Sequence, residues 1–242
     1  MMDQKSYKSA LHHMLPFLII AGIYIAGLAA SLIKWGYYES FMWLNTDNYL
    51  WLDQPMFMIT HLGDSLILAS ILSMLLIYKK PELVLTLILL VVITGITGQL
   101  LKNFMFDGWD RPLRHFNESP SVHTLPFYRL FHNSFPSGHS ITAMTALTAI
   151  VYGLRPKKLL QIIIALAACI ISYSRIYLGV HFPGDVLAGS IIGIMLTLII
   201  MPFLLPLAGK INYSRPIKNI IFTVALIAFI AGVWFLASTY VC

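Results

Sequence analysis

Seven apolar segments, at 14–33, 56–78, 83–101, 138–154, 159–174, 186–208 and 219–240, leave this chain few folds to choose from. Most approach the roughly 20 residues a helix needs to cross the ~30 Å hydrocarbon core of a bilayer. At that depth each backbone N–H and C=O must find a partner inside the protein, which helices achieve within a single segment. A content of 58% hydrophobic and 11% charged residues excludes an ordinary soluble domain. The expected fold class is all-α: a polytopic transmembrane helical bundle, one integral membrane domain over 1–242. The fifth segment is short unless it tilts or runs on to about Gly179.

The formal charge of +6 would suggest nucleic acid as a partner in a soluble chain, but its placement points to membrane topology. Lys5, Lys8, Lys79, Lys80, Arg155, Lys157, Lys158, Lys210, Arg215 and Lys218 fall in alternate loops. The positive-inside rule makes that face cytoplasmic, with the N-terminus on it. Lys34, Lys102, Arg111, Arg114, Arg129 and Arg175 fall on the opposite face, against the rule, as cations kept for an anionic ligand would. The first segment has about 20 uncharged residues, long for the 7–15 of a leader's apolar region, and reads as a true span or signal anchor. Cys169 and Cys242 make no disulfide framework.

Two polar clusters interrupt the apolar surroundings where segments meet loops: Pro136-Ser137-Gly138-His139, and Ser174-Arg175 followed by His181, Pro183 and Asp185. Ser137 occupies a natural N-cap position, and Gly138 lets an anion approach the helix N-terminus closely, where free N–H groups and the dipole favour phosphate. A short turn brings Arg175 near His181. A neutral imidazole there, oriented by Asp185, has the makings of a nucleophile toward phosphorus. Arg111 offers a bidentate fork to phosphate oxygens, and Lys102 a third cation. Together these residues describe an oxyanion site with its own nucleophile.

With these motifs in order, the chain resembles the type 2 phosphatidic acid phosphatase superfamily of membrane lipid phosphatases, whose site is shared with vanadium haloperoxidases. The resemblance covers about 56–208. It implies a six-helix core, to which 219–240 adds a seventh, C-terminal helix of unassigned role. It further implies that His181 is the nucleophile that becomes a phosphohistidine, Asp185 its orienting partner and His139 the acid that protonates the leaving oxygen. Lys102, Arg111, Arg175, Ser137 and the Gly138 amide become the phosphate clamp, and neither a metal nor another cofactor is implied. Eight residues separate Lys102 from Arg111 where the family usually has six, an excess expected to be absorbed in the loop.

The implied substrate is a lipid phosphate: an isoprenoid diphosphate, phosphatidylglycerol phosphate, phosphatidic acid or a lipid A phosphate. Hydrolysis at the periplasmic or outer face of a bacterial inner membrane is the expected activity. A lipid phosphotransferase using the same phosphohistidine is the nearest alternative, and a transporter with a polar mouth is the alternative from another class. Asp64, inside the 56–78 segment, is expected either to support the site by pairing with Lys102 or to sit in water at the interface. His115, His123 and His132 match no familiar metal-ligand spacing.

Overall fold

The computed structural model describes residues 4–46 and 48–240, and among these every regular element is helical. In chain order they are α1 (Gln4–His13), α2 (Leu15–Trp35), α3 (Glu39–Thr46), α4 (Leu50–His61), α5 (Ser65–Leu76) and α6 (Pro81–Leu100), which runs on into a π turn at Leu101–Met105. Then come α7 (Pro112–His115), α8 (Gly138–Leu154), α9 (Lys158–Tyr177), α10 (Pro183–Ala208) and α11 (Arg215–Tyr240). Cys242 lies outside the described residues.

The central element is α8, buried continuously from Ser140 to Tyr152 and packed by α5, α6, α9 and α10. Its composition suits that place. Ala143, Ala146 and Ala149 let neighbours come close, while Thr145 Oγ1 donates across to Thr94 Oγ1 of α6 at 3.2 Å. The approach of α10 is tightest. A Cβ at Gly189 would stand 2.6 Å from the Ser137 carbonyl oxygen, and one at Gly193 2.7 Å from that of Ile141. This glycine pair, four apart on one face of α10, brings two backbones together as small residues do between helices in lipid.

Among the described residues five helices are long and apolar enough to cross a membrane, six if the bent α4–α5 pair is taken as one span. The chain is thus an integral membrane protein. With 17 residues, α8 spans only about 26 Å. Being wrapped by protein, it has no need to match the lipid thickness.

One expectation is corrected here. The 56–78 segment is not a continuous span but two helices bent by 69° at Leu62-Gly63-Asp64. The Asp64 carboxylate accepts from Leu66 N at 2.9 Å and Ile67 N at 3.3 Å, capping α5 and ending α4 just before it. Gly63 is required at the bend, since a Cβ there would lie 2.9 Å from Ile171 Cγ2 and 3.0 Å from His139 Cβ.

Helix α7 and the long segment after it fold over the same end of the bundle. Leu113 and Val122 pack with Phe41, Ile176 and Phe182, and Leu125 and Tyr128 with Tyr177, Leu178 and Val180. Gly179 makes the turn from α9 to α10 at φ +69°, and a Cβ there would run into the His123 carbonyl.

Candidate active site

Two helix N-termini, one helix C-terminus and a π turn meet beneath this cover. The Ser137 amide donates to the Asp185 carbonyl at 3.0 Å, joining the start of α8 to the start of α10. The amides of Val180 and His181 both donate to the Arg175 carbonyl, at 3.1 and 3.2 Å, fixing the turn after α9. These bonds assemble the two polar clusters before any side chain is considered.

His181 Nδ1 lies 3.1 Å from Asp185 Oδ2, and both residues are buried. Asp185 has four donors. Oδ2 also accepts from Phe182 N at 3.0 Å and Ser134 Oγ at 2.5 Å, and Oδ1 accepts from the Tyr37 hydroxyl. Each donor stabilises negative charge on the carboxylate, and together they fix its orientation. So placed, it accepts a hydrogen bond from Nδ1–H and leaves Nε2 with a lone pair.

Nε2 of His181 faces Arg111 Nη1 at 3.2 Å. Burial, then the charges of Arg111, Arg175 and Lys102, hold the His181 imidazole well below its ordinary pKa, so the ring is neutral at pH 7. Burial, with the Asp185 carboxylate beside it, pushes the Tyr37 phenol above its ordinary range and keeps it a donor.

Arg111 is fixed by backbone carbonyls: Nε donates to His132 O at 2.6 Å, Nη1 to Val180 O at 2.8 Å and Nη2 to Asn133 O at 3.3 Å. Lys102 Nζ donates to the same Asn133 oxygen at 2.7 Å. The eight-residue spacing therefore still delivers both cations to one point. The chain between them runs through the π turn that carries Lys102 and then through the loop beyond it. Arg175, 1% exposed, donates from Nη1 to Thr60 Oγ1 at 2.7 Å and Tyr128 OH at 2.6 Å, while its Nε has no hydrogen-bond partner among the described residues.

Ser137 caps α8 as the sequence predicts, its Oγ accepting from Ser140 N at 3.4 Å and Ser140 Oγ at 3.0 Å. His139 and Gly138, together with Lys102, Gly63, Asp64 and Gln99, line a cavity of about 190 Å³. A Cβ at Gly138 would meet nothing within 4 Å, so the helix start opens to an incoming group.

The pairing of Asp64 with Lys102 does not form: the carboxylate is occupied as the cap of α5 and the ammonium by Asn133. The loop histidines stand apart. His123 Nε2 meets Asp53 Oδ1 at 2.9 Å, His132 Nδ1 meets Asp110 Oδ1 at 3.2 Å, and His115 stacks on Tyr38. Arg114 pairs with Asp110 and Arg129 with Glu118. No cluster of three metal-binding side chains occurs among the described residues.

Sequence reasoning missed Tyr37, Ser134, Thr60, Tyr128 and Asn133. The first four place Asp185 and Arg175, and Asn133 gives its backbone carbonyl to both Lys102 and Arg111. Their local signals are slight, because a lone hydroxyl in an aromatic loop has no pattern. Ser134 alone, two residues before Pro136, sat close enough to a motif to be considered.

The model of the PAP2 superfamily matches residues 82–209, more than half of the chain. The chain belongs to the PAP2 superfamily. Among its PAP2 relatives, phosphatidylglycerophosphatase B of Bacillus subtilis is 33% identical over 165 residues, covering 63% of this chain and 75% of the relative. Undecaprenyl-diphosphatase of Sulfolobus acidocaldarius is 28% identical over 183 residues, covering 75% and 81%. The crystal structure of Aquifex aeolicus LpxE superposes with a TM-score of 0.61 at 32% identity, covering 69% of this chain and 95% of that one. The PAP2 segment contains Lys102, Arg111, Ser137, Gly138, His139, Arg175, His181 and Asp185. Tyr37, Thr60 and α11 lie outside it.

Proposed function

We propose that this membrane lipid phosphatase works through a phosphohistidine at His181. The observation that supports it is the His181 Nδ1 to Asp185 Oδ2 contact of 3.1 Å, with Nε2 turned to the Arg111 guanidinium. In the first step the Nε2 lone pair forms a bond to phosphorus while the bond from phosphorus to the lipid-side oxygen breaks. His139 delivers a proton to that oxygen, and Asp185 stabilises the positive imidazole. Lys102, Arg111 and Arg175 offset the charge on the three equatorial oxygens. Water, losing a proton to His139, then attacks phosphorus. The N–P bond breaks, inorganic phosphate leaves and His181 is neutral again.

The chemistry requires no metal. The substrate is a lipid phosphate: the relatives' names point to phosphatidylglycerol phosphate or an isoprenoid diphosphate, with phosphatidic acid and lipid A phosphates of the same chemical class. The ten basic residues of alternate loops support a cytoplasmic N-terminus, with the site at the periplasmic face of a bacterial inner membrane.

The test is inorganic phosphate release by purified protein over these lipids in EDTA, wild type beside His181→Ala. Release that survives chelation and vanishes in the variant is expected. Release that persists in His181→Ala sinks the nucleophile, and loss in EDTA restored by a divalent ion sinks the metal-free mechanism.

A further inference from the structure

Helix α6 and its π turn form one membrane-spanning segment, Pro81–Met105, in which most polar side chains are satisfied by the protein. Thr86, Thr94 and Thr97 donate to the carbonyl oxygens of Glu82, Leu90 and Ile93, at 2.7, 2.9 and 2.9 Å. Lys102 holds the Asn133 carbonyl. The amides of Gln99 and Asn103 differ: both residues are exposed, and neither amide hydrogen-bonds another described residue. An unpaired amide in a spanning segment is costly, and polar side chains kept there face a cavity or a ligand path.

Gln99 faces such a cavity. With Lys102 and His139 it lines the site cavity of about 190 Å³, and it also lines an apolar groove of about 730 Å³ between α5, α6 and α11. Ser65 and Gly95 are shared by the two spaces in the same way. Gly95, Gln99 and Asn103 recur every four residues, which places them on one face of α6 and its extension. A Cβ on Gly95 would meet no atom within 4 Å, so the join is open. On its α5 wall, Ser65 is exposed, and its hydroxyl too has no hydrogen-bond partner among the described residues.

A lipid phosphate bound at Lys102 has its leaving oxygen at His139 and its hydrocarbon in the groove, so the atoms between them lie at this join. In a diacylglycerol phosphate those atoms include the ester carbonyls; in a prenyl diphosphate they are the oxygens of the inner phosphate. Both are acceptors, and an amide N–H or a hydroxyl is the matching donor. We infer that Gln99 and Ser65 donate hydrogen bonds to acceptor oxygens of the leaving group, just beyond the bond that breaks, and are specificity-determining residues. The inference rests on the proposed function and adds two contacts to its site. A lipid whose leaving group lacks such oxygens leaves both donors unpaired beside an apolar groove, and that lost pairing discriminates against it.

Phosphate release is to be measured on two substrate pairs with wild type, Gln99→Leu and Ser65→Ala. Dioleoyl phosphatidic acid is set beside its dialkyl ether analogue, which lacks the carbonyls, and farnesyl diphosphate beside farnesyl monophosphate, which lacks the inner phosphate. Gln99→Leu should lower kcat/KM about tenfold more for the acceptor-bearing member of at least one pair than for its partner. A differential loss confined to the first pair assigns the contact to ester carbonyls, and one confined to the second assigns it to the inner phosphate. Ser65→Ala, which leaves the Asp64 cap in place, should show the same pattern and decides the matter alone if Gln99→Leu does not fold. Equal losses within both pairs, or no loss in any, overturn the inference. Binding of the uncleavable phosphonate analogues of the four lipids is measured separately, and Kd ratios unchanged by the substitutions within both pairs also overturn it. Should wild type bind these analogues but release phosphate from no lipid, the proposed function itself fails, a distinct result that the binding ratios do not share.

Discussion

The phenol of Tyr37 donates to Oδ1 of Asp185 from a loop 148 residues earlier in the chain. It covers the carboxylate on the side away from His181, and Gly184 leaves room for its ring, which a Cβ there would strike. Tyr37→Phe removes one of four donors to a buried carboxylate. Loss of a hydrogen bond to a charged group, about 1.5 kcal/mol or more, corresponds to roughly tenfold or greater loss of kcat. KM should change little. A fall in KM-linked binding with kcat intact would assign Tyr37 to substrate contact instead.

The pH profile should carry the mark of His181. Its folded-state pKa lies below the ordinary 6.5, so the reactive neutral ring persists as pH falls through 6.5, and kcat/KM declines only at more acid values. The unfolded chain binds the proton first in that window, so stability also falls as pH drops through it. Arg111→Met removes the largest charge acting on the ring. Its residual activity should have an acid limb at higher pH than wild type. A wild-type limb at or above 6.5 that Arg111→Met does not move would count against His181.

His139 is tested by the leaving group. The lipid alkoxide expelled from a phosphomonoester needs a proton and p-nitrophenolate does not, so His139→Ala should cost phosphatidic acid hydrolysis about 10²-fold or more and p-nitrophenyl phosphate much less. Equal losses on both substrates would place His139 in phosphate binding.

Gly193 tests the close approach of α10 to α8. Its Cβ position is 2.7 Å from Ile141 O and 3.0 Å from Thr145 N, backbone atoms that cannot yield without moving α8. Gly193→Leu should destabilise by about 2 kcal/mol or more, read as a lower Tm in detergent. Gly27→Leu, whose Cβ has open space, should not.

The sequence made His139, Arg175, His181 and Asp185 legible because each lies within a few residues of a helix terminus, where local rules of capping and turn formation already set the backbone. The helices were legible from hydropathy for the same reason. The bend at Leu62-Gly63-Asp64 was not, because Ile59, Leu62 and Leu66 carry the apolar signal straight through it. Reading Asp64 as an N-cap rather than as a buried charge would have revealed it. Tyr37 and Tyr128 were out of reach, since what makes them matter is a partner 148 and 47 residues away.

The π turn under Lys102 bears on how such sites are detected. A π turn holds one more residue than an α-helical stretch of the same rise, and Lys102 and Arg111 still converge on Asn133 O. Chain length between the two cations is therefore a quantity the fold can lengthen without moving the charges. A search that demands a fixed gap between them rejects sequences that build the same clamp, whereas one that asks whether both side chains reach a common carbonyl keeps them.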